Sequence, residues 1–141
     1  MTNSLVDKKN FIKQLFYSCI DNEAKYNKII EIGRKQKPLS AEHKVENNII
    51  QGCQSTLFLR SYMDGDRIFF EAESDALISA GLAVLLTTVY SGELPESVIK
   101  CPPDYLEELG ILGSLTPNRA NGLLSIHLKM KQEALKALMQ K

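Results

Sequence analysis

The stretch LFLRSYMDGDRIFFEAESDALISAGLAVLLTTVYSG, Leu57 to Gly92, changes its hydrophobic period once, and that change decides the fold class. Leu57 and Leu59 alternate with Phe58, Arg60 and Tyr62; after Asp64-Gly65, Ile68, Phe70 and Ala72 alternate with Arg67, Phe69, Glu71 and Glu73. Period two on both sides of an Asp-Gly pair is the pattern of a β-hairpin with one face on a core. From Ala76 the alternation stops, and no charge appears before Gly92. Ser74 and Asp75 are cap residues for a helix over Ala76 to Tyr90 that ends at Gly92. Apolar nearly all round, that helix must be covered on several sides. It carries Ser79, Gly81, Thr87 and Thr88 and falls short of the roughly 20 apolar residues of a membrane span, so a buried core helix is expected and no membrane partner.

Working outward, the chain ahead of the hairpin reads as two amphipathic helices. The first places Leu5, Phe11, Ile12, Leu15, Phe16 and Cys19 near i, i+3, i+4 and i+7 spacings. The second starts after Asp21 as its cap, turns Tyr26, Ile29, Ile30 and Ile32 inward, and stops at Gly33, so the two are expected to form a helical hairpin. Lys35 to Asn48 is a polar surface loop with Pro38, and Asn48-Ile49-Ile50 reads as a short strand before the hairpin. Between Leu94 and Gly110 three prolines allow only short helical turns. A last helix begins at Thr116 with Pro117 in its first turn and carries Leu124, Leu128, Leu135 and Leu138 on one stripe. The order of helices, sheet, then helices predicts an α+β fold, a small antiparallel β-sheet packed against a helical layer.

Seventeen basic and 17 acidic side chains in 141 residues give a formal net charge of +0, which argues against a sequence-independent nucleic-acid binder. An apolar fraction of 44% is that of an ordinary globular domain, and a single domain over 1–141 is expected. The amino terminus MTNSLVDKKN lacks the apolar run of a secretory signal. Three widely separated cysteines make neither a disulfide framework nor a CxxC metal or redox motif, so a reducing cytoplasmic location is expected. His43 and His127 have no ligand-spaced partners, the latter reading as a helix-flank histidine, and no metal is expected.

Chemistry concentrates at Cys53, which stands between Gly52 and Gln54, with Ser55 following, at a break between regular elements. Small and polar neighbours suit an accessible thiol, whereas inert cysteines are usually buried among apolar ones. Gly52 adds backbone freedom and leaves the approach to the sulfur open. Cys19, on an apolar helix face, and Cys101, before Pro102-Pro103, read as structural.

The run Asn48-Ile49-Ile50-Gln51-Gly52-Cys53-Gln54-Ser55 resembles the signature around the sulfur-accepting cysteine of the SufE family, accessory proteins of cysteine desulfurases. Two further blocks agree in order and spacing: Glu73-Ser74-Asp75-Ala76-Leu77-Ile78-Ser79-Ala80-Gly81-Leu82, and Leu115-Thr116-Pro117-Asn118-Arg119-Ala120-Asn121-Gly122-Leu123. Asn118 departs from the family's usual small hydroxyl residue, a change expected to touch only cap detail. The resemblance implies a SufE/IscU-like fold and a carrier more than a stand-alone enzyme. Its partner would be a SufS-like or CsdA-like cysteine desulfurase that holds the pyridoxal phosphate, with no cofactor on this chain. Cys53 would receive sulfur as a persulfide and pass it to a SufBCD-like scaffold. Arg119 would supply a cation to the attacking thiolate or anchor the desulfurase; the plainer reading is a surface arginine paired with Asp75. Asp75 would hold the cysteine loop or the desulfurase, while as an N-cap it would contribute about 1 kcal/mol. Gln51, Gln54 and Ser55 would shape the loop or meet the partner. The competing functions are an IscU-like cluster scaffold and a non-catalytic interaction domain.

Overall fold

The computed structural model describes residues 4–50 and 55–140. Its hairpin is β1 (Leu57–Asp64) and β2 (Arg67–Ser74), antiparallel, in a register that runs from Leu57 opposite Ser74 to Asp64 opposite Arg67. The two-residue turn is Gly65-Asp66, with Gly65 at φ 64°, a conformation that glycine adopts without a Cβ penalty. Leu57, Leu59, Ile68 and Phe70 are buried, and the outward side carries cross-strand pairs that follow from the register. Tyr62 stacks on Phe69 with ring centroids 5.4 Å apart, and Arg60 bonds Glu71 at 2.9 Å.

A lone two-stranded ribbon is marginal in water, and here a long helix supports it. That helix, α3 (Leu77–Tyr90), is buried along most of its length, as its uncharged sequence requires. Where it ends, the chain turns at Gly92 and returns to β2. The Ile68 amide donates to the Glu93 carbonyl at 2.9 Å, and the Gly92 amide donates to the Ile68 carbonyl at 2.8 Å. Glu93 itself is buried and receives Lys8 Nζ at 2.7 Å and Ser4 Oγ at 2.8 Å from the first helix, α1 (Ser4–Leu15). The short strand expected at Asn48-Ile49-Ile50 is reduced to a single bridge between Ile49 and Phe58 after a 3-10 turn over Glu46–Asn48.

The second helix, α2 (Asn22–Arg34), is capped by Asp21, whose carboxylate accepts from the Ala24 amide at 2.8 Å. It ends at Arg34, one residue past the stop expected at Gly33, and at Gly33 α2 and α3 meet at backbone contact: a Cβ on Gly33 would run into the Leu77 carbonyl, and one on Gly81 into the Ile29 carbonyl. Nor do α1 and α2 form a close hairpin; α2 lies along α3, while α1 packs on α3 and on α5 (Asp104–Glu108). The connection after α2 is tied back to β2 by Glu73, whose carboxylate bonds Lys44 Nζ at 2.8 Å and the Leu39 amide at 2.5 Å. These two bonds hold its pKa below the usual carboxylate value.

The short helices α4 (Pro95–Lys100) and α5 lead to α6 (Pro117–Met139), whose N-cap Thr116 accepts from the Arg119 amide at 3.4 Å. The leucine stripe read from the sequence faces outward: Leu124, Leu128 and Leu135 are exposed, and Leu123, Ile126, Met130 and Ala134 fill the core instead. Two apolar arcs run along this helix, and packing on α3 and α4 selects the second. His127 belongs to the buried arc. It lies 5.3 Å from the Tyr90 ring, and its Nε2 has no partner among the described residues. Burial, assisted by Lys131, pushes its pKa down to about 4. Tyr90 and Tyr105, in contrast, satisfy their hydroxyls on the carbonyls of Cys101 and Leu85, each at 2.7 Å.

Two outcomes follow from this packing. Gly81→Ala should destabilise the fold by about 1–3 kcal/mol or more in urea denaturation, although helix propensity alone would reward alanine by about 1 kcal/mol. For His127 the folded pKa is about 4 against an ordinary 6.5, so the unfolded chain binds the extra proton between these values. Stability should therefore fall by about 2 kcal/mol between pH 7 and pH 5, and His127→Leu should flatten that part of the profile.

Candidate functional site

Cys53, Gln51, Gly52 and Gln54 lie outside the described residues, whereas the residues on either side of them are placed. Ile50 is buried and its amide donates to the Leu57 carbonyl at 2.9 Å, which fixes it to the start of β1. Ser55 is fixed to the start of α3: its Oγ lies 2.8 Å from Ser79 Oγ and 3.5 Å from Ser74 Oγ. Ser55 also lines a cleft of about 100 Å³ between α3 and the first turns of α6, with Ala76, Ile78, Ser79, Leu82, Asn118, Arg119, Gly122 and Ile126. Ile78, Leu82 and Ile126 make its inner wall apolar, while the hydroxyls of Ser55 and Ser79, the Asn118 amide and the Arg119 guanidinium supply its polar groups.

Arg119 is half-buried in the first turn of α6. Its guanidinium carbon stands 5.6 Å from the centroid of the Tyr26 ring on α2, and it has no carboxylate partner among the described residues. The plainer alternative, an ion pair with Asp75, is therefore not formed. Asp75 is exposed, and it does not cap α3: the N-cap is Ala76, with no side-chain cap bond, and the nearest cap-like contact is Ser74 Oγ accepting from the Ala76 amide at 3.2 Å. The chain stays extended for one residue longer than the sequence suggested, because the Asp75 amide is directed to the Thr56 carbonyl at 3.3 Å. Asp75 thus holds the strand after Ser55 through its backbone.

Of the sequence-predicted residues, Ser55 and Arg119 meet at one cleft, whereas Asp75 does not line it, although its neighbour Ala76 does. Three contributors were missed. Ser79 is the hydrogen-bond partner of Ser55, Tyr26 was read as a core residue, and Asn118 faces the cleft when only a cap effect was expected of it. The i, i+3, i+4 spacing of Ile78, Ser79 and Leu82, and of Asn118, Arg119, Gly122 and Ile126, marks one face of each helix. That these two faces oppose each other is a tertiary fact. Cys19 lies in the turn after α1 instead of on a helix face, and Cys101 follows α4; both are half-buried against the core.

The fold and cleft define an α+β protein in which Ser55, just after the segment that carries Cys53, lines a cleft with an arginine that has no carboxylate partner among the described residues. The SufE family model, described as an Fe-S metabolism associated domain, matches residues 10–134. The chain belongs to the SufE family. It is 34% identical over 134 residues to the "Cysteine desulfuration protein SufE" of Wigglesworthia glossinidia brevipalpis, covering 94% of this chain and 92% of that one. It is 35% identical over 125 residues to the "SufE-like protein 1, chloroplastic/mitochondrial" of Arabidopsis thaliana, covering 88% of this chain but spanning only 34% of that relative. Among solved structures it matches the solution structure of a hypothetical protein from Thermus thermophilus, with a TM-score of 0.75, 25% identity, and coverage of 94% and 96% of the two chains. The family places the chain in Fe-S metabolism, and the name of the Wigglesworthia relative ties the family to cysteine desulfuration. No helix among the described residues is long and apolar enough to cross a membrane.

Because Asp75 caps nothing, Asp75→Ala should change stability by less than about 0.5 kcal/mol, while Thr116→Ala, which removes a true cap, should cost about 1 kcal/mol. Parallel urea titrations of the two variants distinguish the assignments.

Proposed function

We propose that the chain is a sulfur acceptor and carrier that docks on a cysteine desulfurase, takes sulfane sulfur as a persulfide on Cys53 and passes it on for iron-sulfur cluster assembly. The observation that carries this reading is the position of Ser55, which opens into the Arg119 cleft two residues after Cys53. Two residues of chain reach at most about 7 Å, a distance that leaves the cleft within reach of Cys53.

The chemistry balances without an external oxidant. The desulfurase, with its own pyridoxal phosphate, leaves a persulfide on its cysteine. The Cys53 thiolate attacks the terminal sulfur, a new S–S bond forms on Cys53 as the donor's S–S bond breaks, and the electron pair leaves on the donor sulfur, which takes up a proton. Attack requires thiolate, and a free cysteine with a pKa of about 8.5 is only a few per cent ionised near neutrality. Arg119 supplies positive potential at the cleft, for the thiolate or for an anionic group on the desulfurase. The apolar wall of Ile78, Leu82 and Ile126 offers the persulfide a surface from which water is excluded.

This chain's residues are given no cofactor to hold in this reading; the pyridoxal phosphate stays with the SufS-like or CsdA-like partner, and delivery goes to a SufBCD-like scaffold. A cluster scaffold would need about three to four converging ligands. Cys19 and Cys101 are each packed against the flank of the core, which favours the carrier. The cytoplasm is the compartment proposed, since a reducing environment keeps acceptor thiols unpaired; the Arabidopsis relative is named for chloroplast and mitochondrion.

Incubation with desulfurase and L-cysteine should add one sulfur to the intact mass of wild-type protein, of Cys19→Ser and of Cys101→Ser, and none to Cys53→Ser. A persulfide persisting on Cys53→Ser would sink the assignment. Arg119→Ala should lower desulfurase activation about tenfold or more, the effect of losing a charge-assisted contact of roughly 1.5–3 kcal/mol, and Arg119→Lys should restore only part of it.

A further inference from the structure

We infer that Tyr26 is a positioning residue for Arg119: its ring face holds the guanidinium at the cleft without neutralising it, so that the charge is kept for an anion brought by the desulfurase. The inference rests on the sulfur-acceptor reading above and adds a residue from another helix to its site.

Arg119 stands against the local electrostatics of its own helix. It occupies the first turn of α6, where the macrodipole favours acidic side chains and opposes a cation, and no acidic residue is there to offset it. Several basic side chains that lie against the core are paired with carboxylates, Lys8 with Glu93, Lys9 with Asp104, Lys44 with Glu73 and Arg60 with Glu71, whereas the half-buried Arg119 has no such partner among the described residues. A carboxylate could hold Arg119 equally well, but it would cancel the charge. An aromatic face attracts a cation through its quadrupole, acts to about 6 Å from the centroid, and carries no net charge. The 5.6 Å separation between Arg119 and Tyr26 lies within that range.

The ring is itself fixed. Tyr26 lies in the second turn of α2, whose start is capped by Asp21 and joined to the approach to α6 by Asn22 Nδ2 donating to the Gly113 carbonyl at 3.4 Å. At its other end α2 is locked on α3 by the Gly33 and Gly81 contacts. The helix that carries the ring is thus held against both walls of the cleft, α3 directly and α6 through its preceding turn.

The test uses full-length Tyr26→Leu and Tyr26→Phe, alone and with Arg119→Ala. The first readout is the NMR signal of the Arg119 Nε–H proton, which a ring face shields. The second is activation of a pyridoxal-phosphate cysteine desulfurase on L-cysteine, followed as sulfide released by reductant. Tyr26→Leu should lose the shielding and raise the half-maximal activating concentration about three- to tenfold, with the rate at saturation unchanged. Tyr26→Phe, which keeps the ring face, should retain both, and Tyr26→Leu should add nothing once Arg119 is alanine. Equal impairment of the Phe and Leu variants, additive losses in the double variant, or a Tyr26→Leu protein that activates like wild type overturns the inference alone. Wild-type protein that neither gains sulfur nor activates the desulfurase overturns it together with the sulfur-acceptor reading.

Discussion

The crossing of α2 over α3 is the constraint on which the rest of the molecule depends. Two glycines, Gly33 and Gly81, let the backbones touch, so that a single methyl group at either position would meet a carbonyl of the facing helix. Interiors pack as densely as organic crystals and do not yield to a displaced helix without losing contacts elsewhere. The approach presses the buried helix α3 into the centre of the molecule, where α1, α2, α6 and β2 all lean on it. It also sets where Ser79, at the foot of α3, and Tyr26, near the start of α2, stand relative to each other.

The hairpin depends on the same helix. Two strands alone do not hold in water, and this ribbon is completed by chain that has just left α3. Ser91 Oγ receives the Phe70 amide at 2.8 Å and donates to the Phe70 carbonyl at 3.1 Å, and Glu93 extends the edge of β2 by one bridge. Because the Glu93 carboxylate is buried with Lys8 and Ser4 on it, α1 is fastened to the same corner. Breaking such a buried pair leaves an uncompensated charge, so the corner resists opening. The cysteine segment starts from Ile50 and ends at Ser55, each hydrogen-bonded to this framework.

In the cleft, what is left unpaired matters as much as what is bonded. Surface arginines gain little from exposed partners, and Arg119 forgoes one altogether among the described residues, resting on a ring. Asp75, the nearest acidic candidate from the sequence, is turned to solvent while its backbone bonds Thr56. The result is a concave surface with apolar depth, small hydroxyls at one side and an uncompensated cation at the other. That combination is the one the proposed sulfur acceptor would use.

Much of this was legible from the residues alone, and the reasons are local. Period two around Asp64-Gly65, the uncharged run to Tyr90, the cap at Asp21 and Pro117 in a first turn each follow from nearest-neighbour chemistry, so the hairpin, α3, the start of α2 and the start of α6 were all anticipated. The blocks around Cys53, Asp75 and Arg119 carry the resemblance to the family whose model matches the chain. What local chemistry could not decide was which of two acceptable partners each residue takes. Gly33 suits a helix stop as well as a helix crossing, α6 has two apolar arcs of which one must face water, and Asp75 can cap a helix or leave that to its backbone neighbours. Tyr26 and Arg119 stand far apart in the chain, and no spacing rule links them. Those choices belong to the tertiary structure, because each is settled by packing between elements distant in sequence, where backbone approach and burial outweigh the few tenths of a kcal/mol that propensity supplies.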